Sequence, residues 1–292
     1  VWIFLNDCLV GENEALVSVF DRGFMYGDGV FETLRVYGGR AFQLHDHLGR
    51  LETSAGLVRI LLPRTLSEIA SDVDAVVGAN ELDDGVVRIA VSRGVGLRGP
   101  SIDGAVRPTY VVSAGPLPGD LDDRRRRGIA LAVVGTRRVS GRALPSAAKH
   151  ANYLNSILAH TEAVESGADE ALLLAGSGEI AECSGANVFL VEESRVLTPH
   201  LDAGILPGCA RASVLDLCHR HGIPAGEQRL EPEALDRAHE VFVTNSVVEI
   251  LPVRSIGDRR FAVPGPVTGR LMDLYRSDLV SRGLGARGRR GF

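Results

Sequence analysis

The sequence predicts a mixed α/β fold arranged as two domains. Strand-like apolar runs alternate with helix-period segments in both halves, and a Gly/Pro-rich break separates the halves near residue 118. The 292 residues also exceed what one small core usually holds, while 45% hydrophobic and 24% charged content excludes a disordered chain.

Strands are expected at Trp2 to Leu5, Val30 to Tyr37, Gly85 to Ser92 and Thr109 to Val112, with helices at His45 to Ala55 and Leu66 to Gly78. In the second helix Leu66, Ile69, Ala70, Val73 and Val76 recur at helical period, so one face is apolar. The stretch Gly115 to Leu121 breaks every pattern and reads as a linker between a small domain, 1–114, and a larger one, 122–292. Beyond it come a strand at Ile129 to Val134, a helix from about Asn152 to Ser166, and paired strands at Glu170 to Leu174 and Asn187 to Val191. A helix beginning after Pro207, another near Pro232 to Ala238 and a strand at Glu240 to Thr244 follow. The tail Arg282 to Phe292 interleaves four glycines with four arginines and reads as a frayed, solvated end.

Composition narrows the partners. A net charge of −5 gives no general reason to bind nucleic acid or anionic lipid, and the longest apolar runs fall far short of a membrane span. Cys8, Cys183, Cys209 and Cys218 are widely separated and lack Cys-x-x-Cys spacing, which suits reduced thiols in a cytoplasmic protein. Val1 to Leu5 has no basic start or small-residue cleavage site and reads as a strand rather than a secretory signal. The pairs His45/His47 and His219/His221 lack nearby ligands at zinc spacing, so no metal is expected.

The sharpest signal is arithmetic. Of 32 basic residues 31 are arginine, and Lys149 is the only lysine. A coding bias accounts for the arginines, but a guanidinium cannot form a Schiff base, whereas an amine can. Lys149 stands where an irregular Gly/Pro stretch meets the helix containing Leu154, Ile157, Leu158 and Val164, and Tyr153 shares its face if that helix already includes Lys149. If Lys149 carries a cofactor aldehyde, desolvation and neighbouring cations would lower its pKa and free the amine as a base.

Other candidates each admit a structural and a functional reading. Glu182, in a turn between strands, is either an exposed acid or a carboxylate opposite a pyridine nitrogen. Gly204-Ile205-Leu206-Pro207-Gly208 runs into an apolar-periodic helix, either as an ordinary helix entry or so that the amides of Cys209 and Ala210 meet a phosphate. Thr244 ends a strand with a hydroxyl. Arg50 is either a surface charge or a phosphate fork.

Together the blocks Asp21 to Thr33, the Arg50 helix, Lys149 with Asn152, Glu182 to Asn187, Gly204 to Arg211 and Thr244-Asn245-Ser246 resemble the class IV, fold type IV, pyridoxal-phosphate enzymes. That group includes branched-chain and D-amino-acid aminotransferases and aminodeoxychorismate lyases. The resemblance runs from about Val1 to Val253 and implies a two-domain fold with the cofactor at the domain interface. It implies that Lys149 holds pyridoxal 5'-phosphate as a Schiff base and shuttles a proton, and that Glu182 faces the pyridine nitrogen. Arg50, the amides of Cys209 and Ala210, and Thr244 would then hold the phosphate, with Tyr153 beside the ring. It further implies a homodimer acting on an amino acid and a 2-oxo acid.

Substrate-side candidates are Phe31, Thr33, Arg88 and Arg98. Arg98 is similar to the carboxylate-binding arginine of D-amino-acid aminotransferases and lyases, although Pro100 replaces the histidine of the former. Arg88 matches an arginine of branched-chain enzymes, yet its flanks here are Val86 and Ile89. Thr33 matches a threonine of the lyases. Ala210 stands where a threonine is more usual, which implies a weaker phosphate grip. An aminotransferase is the leading reading; a lyase releasing 4-aminobenzoate and pyruvate is the alternative.

Overall fold

The structure, a computed structural model, describes residues 1–105 and 107–284. The tail expected to fray lies, from residue 285 onward, outside the described residues. Two compact units emerge: one comprises Val1–Leu117, Ala148–Tyr153 and, among the described residues, 280–284, and the other Pro118–Ala147 and Leu154–Leu279.

The first unit is built on β1 (Trp2–Leu5), β2 (Cys8–Gly11), α1 (Arg22–Tyr26), β3 (Gly29–Tyr37), β4 (Arg40–Ala41), α2 (Leu44–Leu57), α3 (Leu66–Ala79), β5 (Asp84–Ser92) and β6 (Thr109–Gly115). Its antiparallel sheet runs β2-β1-β6-β5-β3-β4. The two-residue strand period sends Val30, Leu34, Val36, Val87, Ile89 and Val91 to one face. There they pack with Leu48 and Leu51 of α2 and Ile69, Val73 and Val76 of α3. Thr65 caps α3 reciprocally with Glu68, which fixes where that helix starts.

Glu32 shares the core-facing side of β3, so a carboxylate sits where its neighbours are apolar and is 0% exposed. Arg50 Nε and Nη2 donate to its two oxygens at 2.7 Å each, and His47 Nδ1 lies 2.7 Å from Oε2. Burial alone would raise this carboxyl, but the hydrogen bonds and charges of Arg50 and His47 outweigh it and bring it down to about 2.

The second unit holds α4 (Leu121–Arg127), β7 (Ile129–Val133), α5 (Leu154–Glu165), β8 (Glu170–Leu174), β9 (Ile180–Cys183), β10 (Asn187–Glu192), β11 (Arg195–Pro199) and α6 (Cys209–Arg220). It continues through β12 (Ala225–Gln228), α7 (Ala234–Arg237), β13 (Glu240–Asn245), β14 (Glu249–Ile256) and β15 (Arg259–Arg260) into α8 (Pro266–Ser281). The mixed sheet runs β12-β11-β10-β13-β14-β7-β8-β9, with β15 on β14. Phe189 and Phe242, opposite each other on β10 and β13, stack with ring centroids 4.8 Å apart.

Two local expectations need correction. The strands expected to pair with each other do not: β8 lies between β7 and β9, and β10 between β11 and β13. The short strand β9 is buried at all four positions, so it lacks the alternation that would have marked it, and its sequence reads as a turn. The helix expected from Asn152 starts at Leu154, because the preceding residues run extended beside β3. Phe31 N donates to Lys149 O at 2.9 Å, and Ala151 N to Gly29 O at 2.8 Å.

Glu32→Gln removes the fully buried carboxylate that pairs with Arg50 and His47 and is expected to cost about 3 kcal/mol of unfolding free energy in urea. The wild-type carboxyl titrates below its ordinary 4.5, so its contribution is complete above that pH and lost as pH falls through about 2. The stability gap between the two proteins should therefore narrow steadily on acidification below about pH 4.5.

Candidate active site

In the first unit, the extended segment through Lys149 carries the amine to a cluster on the outward side of β3. Phe31 alternates away from the core, and Lys149 Nζ lies 4.5 Å from its ring centroid. Arg88 Cζ is 3.8 Å from the same centroid, and Tyr153 meets the ring edge-on at 5.5 Å. Thr33 follows on the same side of β3 and faces Arg88 in the β3–β5 register. Among the described residues no carboxylate pairs with Arg88, and desolvation lowers its pKa below the ordinary arginine value. A cation without a counter-ion, one aromatic ring from an amine, is suited to an anionic substrate.

The segment is fastened at both ends. Lys149 N donates to Ser54 Oγ of α2 at 3.0 Å, and Asn152 Nδ2 donates to Gly27 O at 2.9 Å. Gly27 ends α1 at φ 66°, in left-handed backbone, and a Cβ there would come within 3.3 Å of Asn152 Oδ1. Lys149 itself is not helical, so Tyr153 reaches the Phe31 cluster by a route other than the expected helical i+4 spacing. Arg50 is committed on two atoms to Glu32. Arg98 stands apart on the 94–99 loop, exposed, with Cζ 5.8 Å from the Phe20 ring.

In the second unit, Glu182 is not an exposed turn acid. It lies in β9, 7% exposed. Arg138 Nε is 2.8 Å from Oε1, while Asn187 Nδ2 and Leu206 N each donate to Oε2 at 3.1 Å. A buried carboxylate with a paired guanidinium and two further donors is held in one orientation. Asn187 also donates to Leu206 O at 3.0 Å, so it fixes the turn that leads into α6.

That turn ends at Gly208, the N-cap of α6, which offers no side chain to the first-turn amides. Cys209 and Ala210 follow, both buried. Thr244 faces Asn187 in the β10–β13 register, and its Oγ1 is buried without a hydrogen-bond partner among the described residues. An orphaned hydroxyl and a helix start lacking a side-chain cap fit the phosphate of pyridoxal 5'-phosphate, as the buried acid fits its ring nitrogen. Among the described residues no group of three His, Cys, Asp or Glu side chains is placed to hold a metal ion.

Sequence reasoning missed Glu32, His47, Arg138 and Asn187 as supports. Glu32 alone had a local signal, a charged residue within the apolar alternation Val30, Leu34, Val36. Nothing near Arg138 in sequence points to Glu182.

A Cβ on Gly208 would fall 2.1 Å from Asn187 Oδ1. Gly208→Ala should therefore push Asn187 off Glu182 and lower stability by about 2 kcal/mol, read as a drop in thermal midpoint.

Residues 29–256 match the family model of amino-transferase class IV. A putative branched-chain-amino-acid aminotransferase of Methanocaldococcus jannaschii is 39% identical, over 97% of this chain and 98% of its own length. D-alanine aminotransferase of Listeria innocua is 31% identical, over 95% and 96%. Among solved structures, the branched-chain aminotransferase of the thermophilic archaeon Thermoproteus uzoniensis with norvaline superposes with a TM-score of 0.90 at 33% identity, covering 96% of this chain and 95% of that one. A branched-chain amino acid aminotransferase bound to pyridoxamine 5'-phosphate gives 0.89 at 30%, covering 96% and 94%. The 4-amino-4-deoxychorismate lyase of Pseudomonas aeruginosa gives 0.84 at 32%, covering 95% and 99%. With nearly its full length matched by relatives of this kind, the chain belongs to the class IV aminotransferases.

Proposed function

We propose that this aminotransferase works with pyridoxal 5'-phosphate and moves an amino group between an amino acid, branched-chain or D-configured, and a 2-oxo acid. The observation that carries the reading is the sole lysine of the chain, its amine beside Phe31 and the same ring covered by an arginine that no carboxylate among the described residues neutralises. When bound, the cofactor supplies an aldehyde for the amine and a ring that withdraws electrons from the substrate α-carbon. Lys149 Nζ would hold the aldehyde and is the group that would move the proton at that carbon. Glu182, paired with Arg138, would hold a proton on the pyridine nitrogen. Arg50, the amides of Cys209 and Ala210, and the Thr244 hydroxyl hold the phosphate, and Tyr153 lies by the ring. Arg88 and Arg98 receive substrate carboxylates, with Phe31 and Thr33 lining the substrate side.

A homodimer is part of the proposal, supported by exposed apolar Leu154, Ile157 and Leu158 on α5, which a second copy would cover. A cytoplasmic location is supported by four free thiols. No described helix is long and apolar enough to cross a membrane.

The test is a half-reaction with amino acid alone, run over a panel of D and L substrates. The aldehyde absorbance should convert to the pyridoxamine form, and borohydride should fix the label on Lys149. Release of pyruvate and 4-aminobenzoate from aminodeoxychorismate without that conversion would establish the lyase instead.

A further inference from the structure

In the loop from Gly94 to Gly99 the side chains of Val95, Leu97 and Arg98 are exposed, yet its base is anchored by charges that lie in the interior. Arg22 of α1 is 4% exposed. Its Nη1 donates to both Leu97 O and Gly99 O at 3.0 Å, the carbonyls on either side of Arg98. Its Nε donates to Asp28 Oδ2 at 2.9 Å. Asp28 is shared: Arg93 Nε and Nη2 donate to its oxygens at 2.8 and 3.0 Å, and the Arg93 fork also reaches Arg59 O and Val58 O at the end of α2. Burial would raise the Asp28 carboxyl, but the two guanidinium groups hold it below its ordinary value.

Three further contacts complete the anchor. Gly99 N donates to Tyr26 Oη at 3.0 Å, and Arg22 Cζ stands 5.0 Å from the Tyr26 ring. At the near end Arg22 N donates to Gly94 O at 2.9 Å. Gly94, at φ 85°, turns where a Cβ would collide with Arg107 O at 1.8 Å. Burying an arginine is costly unless it is paired and hydrogen-bonded, and a loop needing only to be short and polar does not require one.

We infer that Arg22, held by Asp28, is a positioning residue for substrate selection: it grips the backbone on both sides of Arg98 and thereby sets where that guanidinium meets a substrate carboxylate. The inference rests on the reading of Arg98 given above, and it assigns Arg22 no contact with cofactor or reacting atoms. Its effect belongs in substrate binding rather than in the chemical step.

The test uses the holoenzyme with Arg22→Met, Arg22→Lys, Tyr26→Phe and Arg98→Met. Losing two charge-assisted hydrogen bonds should let trypsin cut the Arg98–Gly99 bond roughly tenfold faster in Arg22→Met and raise KM for the amino acid by about tenfold, with kcat changed less than about twofold. The cofactor absorbance should not move. Arg22→Lys should recover part of both effects, and Tyr26→Phe, which removes only the Gly99 acceptor, should show both more weakly. If Arg22→Met does not fold, Tyr26→Phe decides the matter by the same two readouts. Unchanged cleavage in both variants overturns the clamp. Faster cleavage with unchanged KM, where Arg98→Met raises KM, overturns the link to selection. An unchanged KM in Arg98→Met removes the assigned role of Arg98, and with it the inference, whatever the proteolysis shows.

Discussion

The alternation of β3 is the constraint on which the candidate site depends. One strand sends Glu32 inward and Phe31 and Thr33 outward, and each direction has a separate task. Inward, a carboxylate among valines and leucines would be untenable alone, and it is offset by the Arg50 fork and His47 on α2. Outward, Phe31 gives the Lys149 amine and the Arg88 guanidinium a common aromatic neighbour. Any slip of register by one residue would exchange these roles and lose both.

The second unit solves a related problem differently. Its acid sits in a short strand buried at every position, so orientation comes from backbone and side-chain donors rather than from alternation. Arg138, Asn187 and Leu206 N reach Glu182 from three places in the chain. The same asparagine governs the entry to α6, which couples the placement of the acid to that of the helix start. Polar groups with this many partners are rigid, and rigidity is what a site must supply before any substrate arrives.

Much of this is legible in the sequence. The amphipathic period of α3, the alternating strands β3 and β5 and the Gly-Pro entry to α6 are local signals, and local physics makes them. The lone lysine is visible by counting, because only its chemistry separates it from arginine. What cannot be read is non-local. Lys149 runs extended because its backbone pairs with β3, more than a hundred residues away in sequence, not because its neighbours disfavour a helix. Glu182 appears as a turn because β9 has too few residues for a period to show. Arg138 finds its partner 44 positions further along the chain, a spacing that no window detects.

The close approach of Gly208 to Asn187 has an evolutionary side. Because the amide oxygen of one occupies the space where the other would grow a side chain, the two positions cannot drift independently. A lineage exploring bulkier residues at the mouth of α6 must first accept a smaller one on β10, and the intermediate would forfeit a donor to the buried acid. Such an ordered path makes this corner of the molecule slow to diversify.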